Sequence, residues 1–201
     1  NMEGFWASLI QKMAKMFAKN SSMKDMRLSI GEVQKKPKSE MTAHGENEMH
    51  ISEEGLSLIK KFEGCPTKGG LAVPYICPAG VLTIGYGHTR TVKEHDKWTL
   101  DHASYILREE IEDEYEPYIE KLVKVPLEQH QFDALVAWVF NLGPTNFQES
   151  TLLKVLNEGK YNEVPAQMKR WNKANGEVLD GLVRRREAEA KMFAGEEWYA
   201  V

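Results

Sequence analysis

Residues Tyr75 to Thr89, YICPAGVLTIGYGHT, bring a thiol (Cys77), a hydroxyl (Thr83) and an imidazole (His88) into one short stretch, and a carboxyl group, Glu63, lies upstream in FEG. A carboxylic acid that can give up a proton, facing a second polar group across a cleft, is the raw material for breaking a glycosidic bond. The stretch reads as a short β-meander: Tyr75-Ile76, a Cys-Pro-Ala-Gly turn, then Val81 to Ile84 and a Gly-Tyr-Gly-His exit. Pro78 presets φ early in the turn and Gly80 tolerates a positive φ, which suits a tight connection between strands.

Helices must position this hairpin. Ser52 precedes Glu53-Glu54 and the apolar rhythm of Leu56, Ile59 and Phe62, so a helix capped by Ser52 should end near Glu63-Gly64. Thr99 should cap a long helix with Ala103, Ile106, Leu107, Ile111 and Tyr115 on one face, and Pro117 should kink or end it. Glu128 to Leu142 is apolar on most sides, which predicts the buried central helix of a larger lobe, stopped by Gly143. Shorter helices are expected at about 148–158, 161–172 and 180–194. The expected fold class is α+β: a small β-hairpin lobe joined by a long helix to a larger all-helical lobe. A polymer substrate would lie in the cleft between them.

Ahead of this unit, residues 4–19 place Phe5, Trp6, Leu9, Ile10, Met13, Met16 and Phe17 at helical spacing with lysines between, and residues 20–50 turn polar and aperiodic. The expected domains are therefore an N-terminal basic amphipathic helix plus linker (1–50) and a compact domain (51–201). Charge follows the same division: eight Lys/Arg against six Asp/Glu before residue 51, and eighteen against twenty-four after it, for a net −4. That balance argues against a nucleic-acid partner. Two cysteines are too few for a secreted disulfide scaffold. Neither a classical signal peptide nor a membrane span is expected. The six histidines and two cysteines lack metal-ligand spacing, so neither a metal nor any other cofactor is expected.

The ordered set FEG (62–64), YICPAG (75–80), TIGYGHT (83–89), DALVAWVFNLG (133–143), STLLKVLNEGKY (150–161) and GLVRRREAE (181–189) resembles the phage-type lysozymes over residues 51–201. The resemblance implies a lysozyme-like fold and a catalytic set of Glu63, Cys77 and Thr83. The five residues between Cys77 and Thr83 match the spacing of that family, whereas the Glu63-to-Cys77 interval is longer because of an insert around Thr67–Val73. That insert reads as a longer hairpin or loop on the small lobe.

In this scheme Glu63 donates the proton, with burial and the helix's negative end both raising its pKa. Cys77 is either a nucleophile toward the anomeric carbon or a thiolate that orients water. A free thiol, with a pKa of ~8.5, is mostly neutral unless a neighbour such as His88 or Lys68 depresses it. The plain alternative for Cys77 is a small buried core residue, and for Thr83, otherwise the holder of the attacking water, a β-branched strand residue. His88 is expected to structure the loop beneath the site with its imidazole near Glu63. Tyr75, Phe140, Asn141 and Ser150 resemble positions that line the sugar cleft, although core packing fits Phe140 equally well.

Other features read more simply. Arg184-Arg185-Arg186 could grip an anionic wall polymer, but Glu187 and Glu189 on the same helix favour a solvated, salt-bridged face. Cys65 and Cys77 could pair in an oxidising compartment and switch the site off. The helix at 4–19 could engage lipopolysaccharide or a membrane surface, or else pack on the domain. The resemblance implies a monomeric phage endolysin that hydrolyses the β-1,4 bond between N-acetylmuramic acid and N-acetylglucosamine in peptidoglycan. It would accumulate in the host cytoplasm and reach the periplasm through a holin pore. The alternatives are a lytic transglycosylase, which ends in an anhydro-muramic product, and a non-enzymatic membrane- or wall-binding protein.

Overall fold

The computed structural model describes residues 48–77 and 79–201, so the expected amphipathic helix and most of the linker lie outside the described residues. The first helix, α1 (Glu53–Glu63), starts where Ser52 Oγ accepts the Gly55 amide, with two glutamates in its first turn. The chain entering it is strapped down. Glu116 accepts the Ile51 amide at 2.7 Å, Arg108 donates to the Ile51 carbonyl at 2.8 Å, and Asp133 takes both the amide and the hydroxyl of Ser52. A fixed start gives the far end of α1, where Glu63 sits, a fixed position.

Two hairpins follow. Strands β1 (Thr67–Lys68) and β2 (Leu71–Ala72) pair across Gly69-Gly70, both at positive φ (60° and 77°), a turn that glycine makes without strain. This is the insert, and it is a hairpin as expected. Strands β3 (Tyr75–Ile76) and β4 (Leu82–Thr83) form the second, in the register Tyr75↔Thr83 and Ile76↔Leu82.

The long helix comes in two pieces, α2 (Leu100–Glu114) and α3 (Glu116–Leu122), broken at Tyr115 just before Pro117. Pro117 lacks the amide that would continue the ladder, which is the expected break. Helix α4 (Gln129–Leu142) opens with a Glu128–Gln131 capping box and is buried at every residue from Phe132 to Leu142. Around it pack α5 (Pro144–Glu149), α6 (Thr151–Asn157), a 3-10 turn at Tyr161–Glu163, α7 (Val164–Lys169) and α8 (Asp180–Phe193).

Two apolar clusters match the two expected lobes. The larger joins Leu56, Ile59, Leu107, Ile111, Trp138 and Phe193 among others, and the smaller is Ala72, Ile84 and Ala103 under Trp98. Helix α2 joins them, giving Ala103 to the small cluster and Leu107 and Ile111 to the large one.

Two details differ from expectation. Residues 144–157 form two helices, because Ser150 ends one and caps the next. A third hairpin, β5 (Lys173–Ala174) with β6 (Glu177–Val178), occupies the stretch before α8. Its turn is Asn175-Gly176, at φ 52° and 82°, and that dipeptide was the available signal.

Candidate active site

The site is built where the C-terminus of α1 meets the second hairpin. Tyr75 stands opposite Thr83, so their side chains share one face of the hairpin. The Cys77 amide donates to the Val81 carbonyl at 3.0 Å, which carries the pairing one step on and puts Cys77 on that face too, two residues from Tyr75. The alternation is visible in burial: Thr83 and Cys77 are buried, whereas Ile76, on the other face, is 63% exposed. Thr83 Oγ1 donates to the Val81 carbonyl at 2.9 Å, which spends its proton and leaves its lone pairs to accept.

Glu63, at the C-terminal end of α1, is 1% exposed and is tied to this face through Tyr75. The tie is electrostatic: burial first, then the charges of Glu63, Cys77 and Cys65, push the Tyr75 phenol far above its ordinary pKa. Tyr115, at the α2–α3 break, is pushed up by burial first and then by Glu114, Glu110 and Glu63. Tyr75 thus shares its surroundings with the Glu63 carboxyl and the Cys77 thiol, and the strand register sets Thr83 opposite it. Cys65 and Cys77 are both free thiols, and burial raises the Cys65 pKa.

From the opposite side Glu63 meets α8. Arg185 Nη1 donates to Glu63 Oε1 at 2.9 Å, and its Nε donates to Glu189 Oε1 at 3.1 Å. Arg186 Nη2 donates to Glu189 Oε1 at 3.1 Å and to Asn141 Oδ1 at 2.7 Å, while its Nε lies 2.8 Å from Glu189 Oε2. All four charged side chains are at most 1% exposed. The expectation of a solvated arginine face is thus corrected. Arg185, Arg186 and Glu189 follow Leu182 at i+3, i+4 and i+7, so they share its buried stripe. That spacing was the signal the sequence carried for these missed residues.

Burial pulls the Arg186 pKa down to about 10, still protonated at neutrality. Burial also holds Glu189 above the usual carboxylate range, against the pull of Arg186 and Arg185.

Three of the other expected residues, Phe140, Asn141 and Ser150, are buried and make internal contacts. Phe140 is buried against Tyr115, with ring centroids 5.1 Å apart. The Asn141 carbonyl oxygen serves Arg186. Ser150 is a helix cap: its Oγ accepts the Leu153 amide and donates to the Phe147 carbonyl. Their residue types suited sugar contacts, but close packing of α4 on its neighbours keeps them inside.

His88 does not reach toward Glu63. Its Nδ1 meets Glu110 Oε1 at 2.5 Å and its Nε2 the Arg90 carbonyl at 2.6 Å, so neither ring nitrogen is left for Cys77. The Glu110 hydrogen bond raises the His88 pKa. Lys68 is exposed on the first hairpin. The ion pairs of His88 with Glu110 and of Arg90 with Glu110 and Glu114 tie the exit of the second hairpin to α2.

A two-lobed α+β domain with a buried glutamate at the junction of a helix and a β-hairpin is a lysozyme-like architecture. The phage lysozyme family matches residues 60–189, and the chain belongs to that family. It is 45% identical over 149 residues to the endolysin of Acyrthosiphon pisum secondary endosymbiont phage 1, an alignment covering 72% of this chain and 98% of that protein. With the endolysin of Bacillus phage B103 it shares 40% identity over 146 residues, covering 72% of this chain and 54% of the relative. Among solved structures, a single-substitution mutant of P22 lysozyme superposes with a TM-score of 0.66 at 34% identity, covering 73% of this chain and 99% of that one. The muramidase domain of SpmX from Asticcacaulis excentricus superposes with a TM-score of 0.62 at 38% identity, covering 72% and 97%.

Proposed function

We propose that this glycoside hydrolase of the lysozyme type is a phage endolysin that cuts the β-1,4 bond between N-acetylmuramic acid and N-acetylglucosamine, with Glu63, Cys77 and Thr83 as its catalytic residues. The observation that carries the reading is the convergence of buried Glu63 with the Tyr75–Cys77–Thr83 face of one hairpin. Glu63 gives its proton to the bridging oxygen as the bond to the anomeric carbon breaks, and the leaving sugar departs as a neutral alcohol. Thr83, its own proton spent on Val81, accepts a hydrogen bond from water and aims the oxygen at the anomeric carbon. Cys77, on the same face and as a thiolate, either takes that water's proton as the new C–O bond forms or attacks the carbon itself, the C–S bond of the thioglycoside then being broken by water. Tyr75, half-buried beside both, offers an aromatic edge to the sugar.

Mass spectrometry of muropeptides released from purified sacculi tests the reaction. Reducing N-acetylmuramic acid ends are expected, and 1,6-anhydro ends would make the protein a transglycosylase instead. NMR of the fresh product anomers then assigns the role of Cys77. Inversion fits water attack, and retention fits a thioglycosyl intermediate.

The same reading extends to the whole chain as a monomer with two functional segments: residues 1–50 and a catalytic domain from residue 51. The route is from the host cytoplasm to the periplasm through a holin pore. The basic amphipathic pattern of residues 4–19 supports contact with lipopolysaccharide or a membrane surface. Deleting residues 2–45 should leave digestion of purified wall intact and weaken killing of whole Gram-negative cells. Equal killing by both forms would remove the membrane role.

A further inference from the structure

Four charges share the space behind the active site, and two of them cannot change. Arginine keeps its proton at any working pH, so Arg185 and Arg186 fix two positive charges inside the protein. Glu63 and Glu189 are the carboxyls that balance them. With both ionised the quartet is neutral; with one protonated it carries a single positive charge. A general acid needs that second state, and it needs the proton on Glu63 rather than on Glu189.

Burial opposes the charged form of both carboxyls, Glu63 at 1% and Glu189 at 0% exposed, so their guanidinium contacts set the order. Glu189 receives both guanidiniums: Arg185 Nε at 3.1 Å, Arg186 Nη2 at 3.1 Å and Arg186 Nε at 2.8 Å. Glu63 draws on Arg185, which it shares with Glu189. The groups facing Glu63 from the other elements do not reverse the balance. Tyr75 on the hairpin and Tyr115 between α2 and α3 are phenols that burial first, and then carboxylates including Glu63, hold in the neutral form. From helix α4 the Ala137 carbonyl accepts from Arg185 and the Asn141 side-chain oxygen accepts from Arg186.

We propose that Glu189 is a positioning residue for the reaction: by holding both buried guanidiniums it keeps Glu63 as the carboxyl that carries the proton. The proposal rests on Glu63 being the acid. Like charges discourage each other's ionisation, so the Glu189 carboxylate raises the pH at which Glu63 loses its proton. A group that must be protonated to act sets the alkaline limb of the pH–rate profile.

The test compares kcat/KM against pH for the parent, Glu189→Gln and Glu189→Asp on soluble peptidoglycan fragments, with Glu63→Gln alongside. Glu189→Gln keeps the shape and an acceptor for Arg185 but removes the charge, so both guanidiniums act on Glu63. Its alkaline limb should move down by about one pH unit or more, with activity at the acidic end retained, and Glu189→Asp should restore the limb toward the parent's. A uniform loss at every pH with an unmoved limb would overturn the proposal.

A second measurement needs no folded variant at position 189. Carbon-13 carboxyl NMR of the parent, assigned with Glu63→Gln, should show Glu63 taking up its proton at higher pH than Glu189. Protonation of Glu189 first would refute the assignment. Full activity in Glu63→Gln would instead remove the catalytic reading itself, a distinguishable failure.

Discussion

Glu63 is held between two regions built on opposite principles. On one side is a hairpin lobe with strands of two residues each and a small cluster of Ala72, Ile84 and Ala103. On the other, α8 packs against α4, buried from Phe132 to Leu142, and delivers three charged groups, Arg185, Arg186 and Glu189, into the interior. In the proposed reaction the thin lobe presents the groups that meet substrate. The thick lobe holds the charges proposed to set the acid, with both guanidiniums buried and hydrogen-bonded. Buried charges tolerate no slack, because removing one partner strands the other away from water. Groups on the hairpin face can change with far less structural penalty.

That contrast can be broken or sharpened by substitution. The largest effect is expected for Arg185→Met, which leaves Glu63 and Glu189 without their shared cation. Stability should fall by about 3–5 kcal/mol in chemical denaturation, and lytic activity should be lost with it. Cys77→Ala comes next and should separate the two properties: activity down by about a hundredfold or more in a turbidity assay, at a near-parental melting temperature. A large loss of stability there would mean that Cys77 belongs to the core rather than to the chemistry.

A smaller effect concerns pH, through the His88–Glu110 pair at the hairpin exit. Glu110 lies below its usual value because His88 and Arg90 outweigh its burial, and His88 lies above its own. The raised His88 pKa gives stability that is full below about pH 6.5, the unfolded value, and lost as pH rises through the folded one. The lowered Glu110 pKa gives stability that is present above its unfolded value and lost as pH falls through the folded one. The pair therefore stabilises most in mildly acidic solution. Glu110→Gln should flatten the dependence of melting temperature on pH and lower its mildly acidic maximum by about 2–4 °C, the shift for ~1 kcal/mol in a domain of this size. An unchanged profile would show that the pair does not hold the loop. The smallest effect belongs to Arg184→Ala, one residue from the quartet but only half-buried: stability within about 0.5 kcal/mol of the parent and unaltered lysis.

The two regions also differed in how legible they were. Apolar periodicity and capping residues marked α1, α2 and α4 because burial and helix ends leave local signatures: Ser52 and Thr99 accept amides where expected, and Pro117 breaks the long helix. The hairpin could be read from its turn residues, and its paired register puts Tyr75, Cys77 and Thr83 together. The partners of Glu63 were harder to find. Arg185 lies 122 positions away, and a run of three arginines beside two glutamates looks like a solvated face unless the apolar stripe beneath it is followed residue by residue. His88 shows the converse. Its nearness to the site in sequence suggested a role at Glu63, but the helix it ties to, α2, is supplied by a long-range contact. Phe140, Asn141 and Ser150 carried suitable chemistry, and only packing revealed which way they faced.

The most direct measurement is the rate at which Glu63→Gln, purified and shown by circular dichroism to be folded, digests peptidoglycan sacculi beside the parent. The amide keeps an oxygen to accept from Arg185 but has no acidic proton for the glycosidic oxygen, so turnover should drop by at least about a thousandfold. Digestion at the parental rate would contradict the account at its centre.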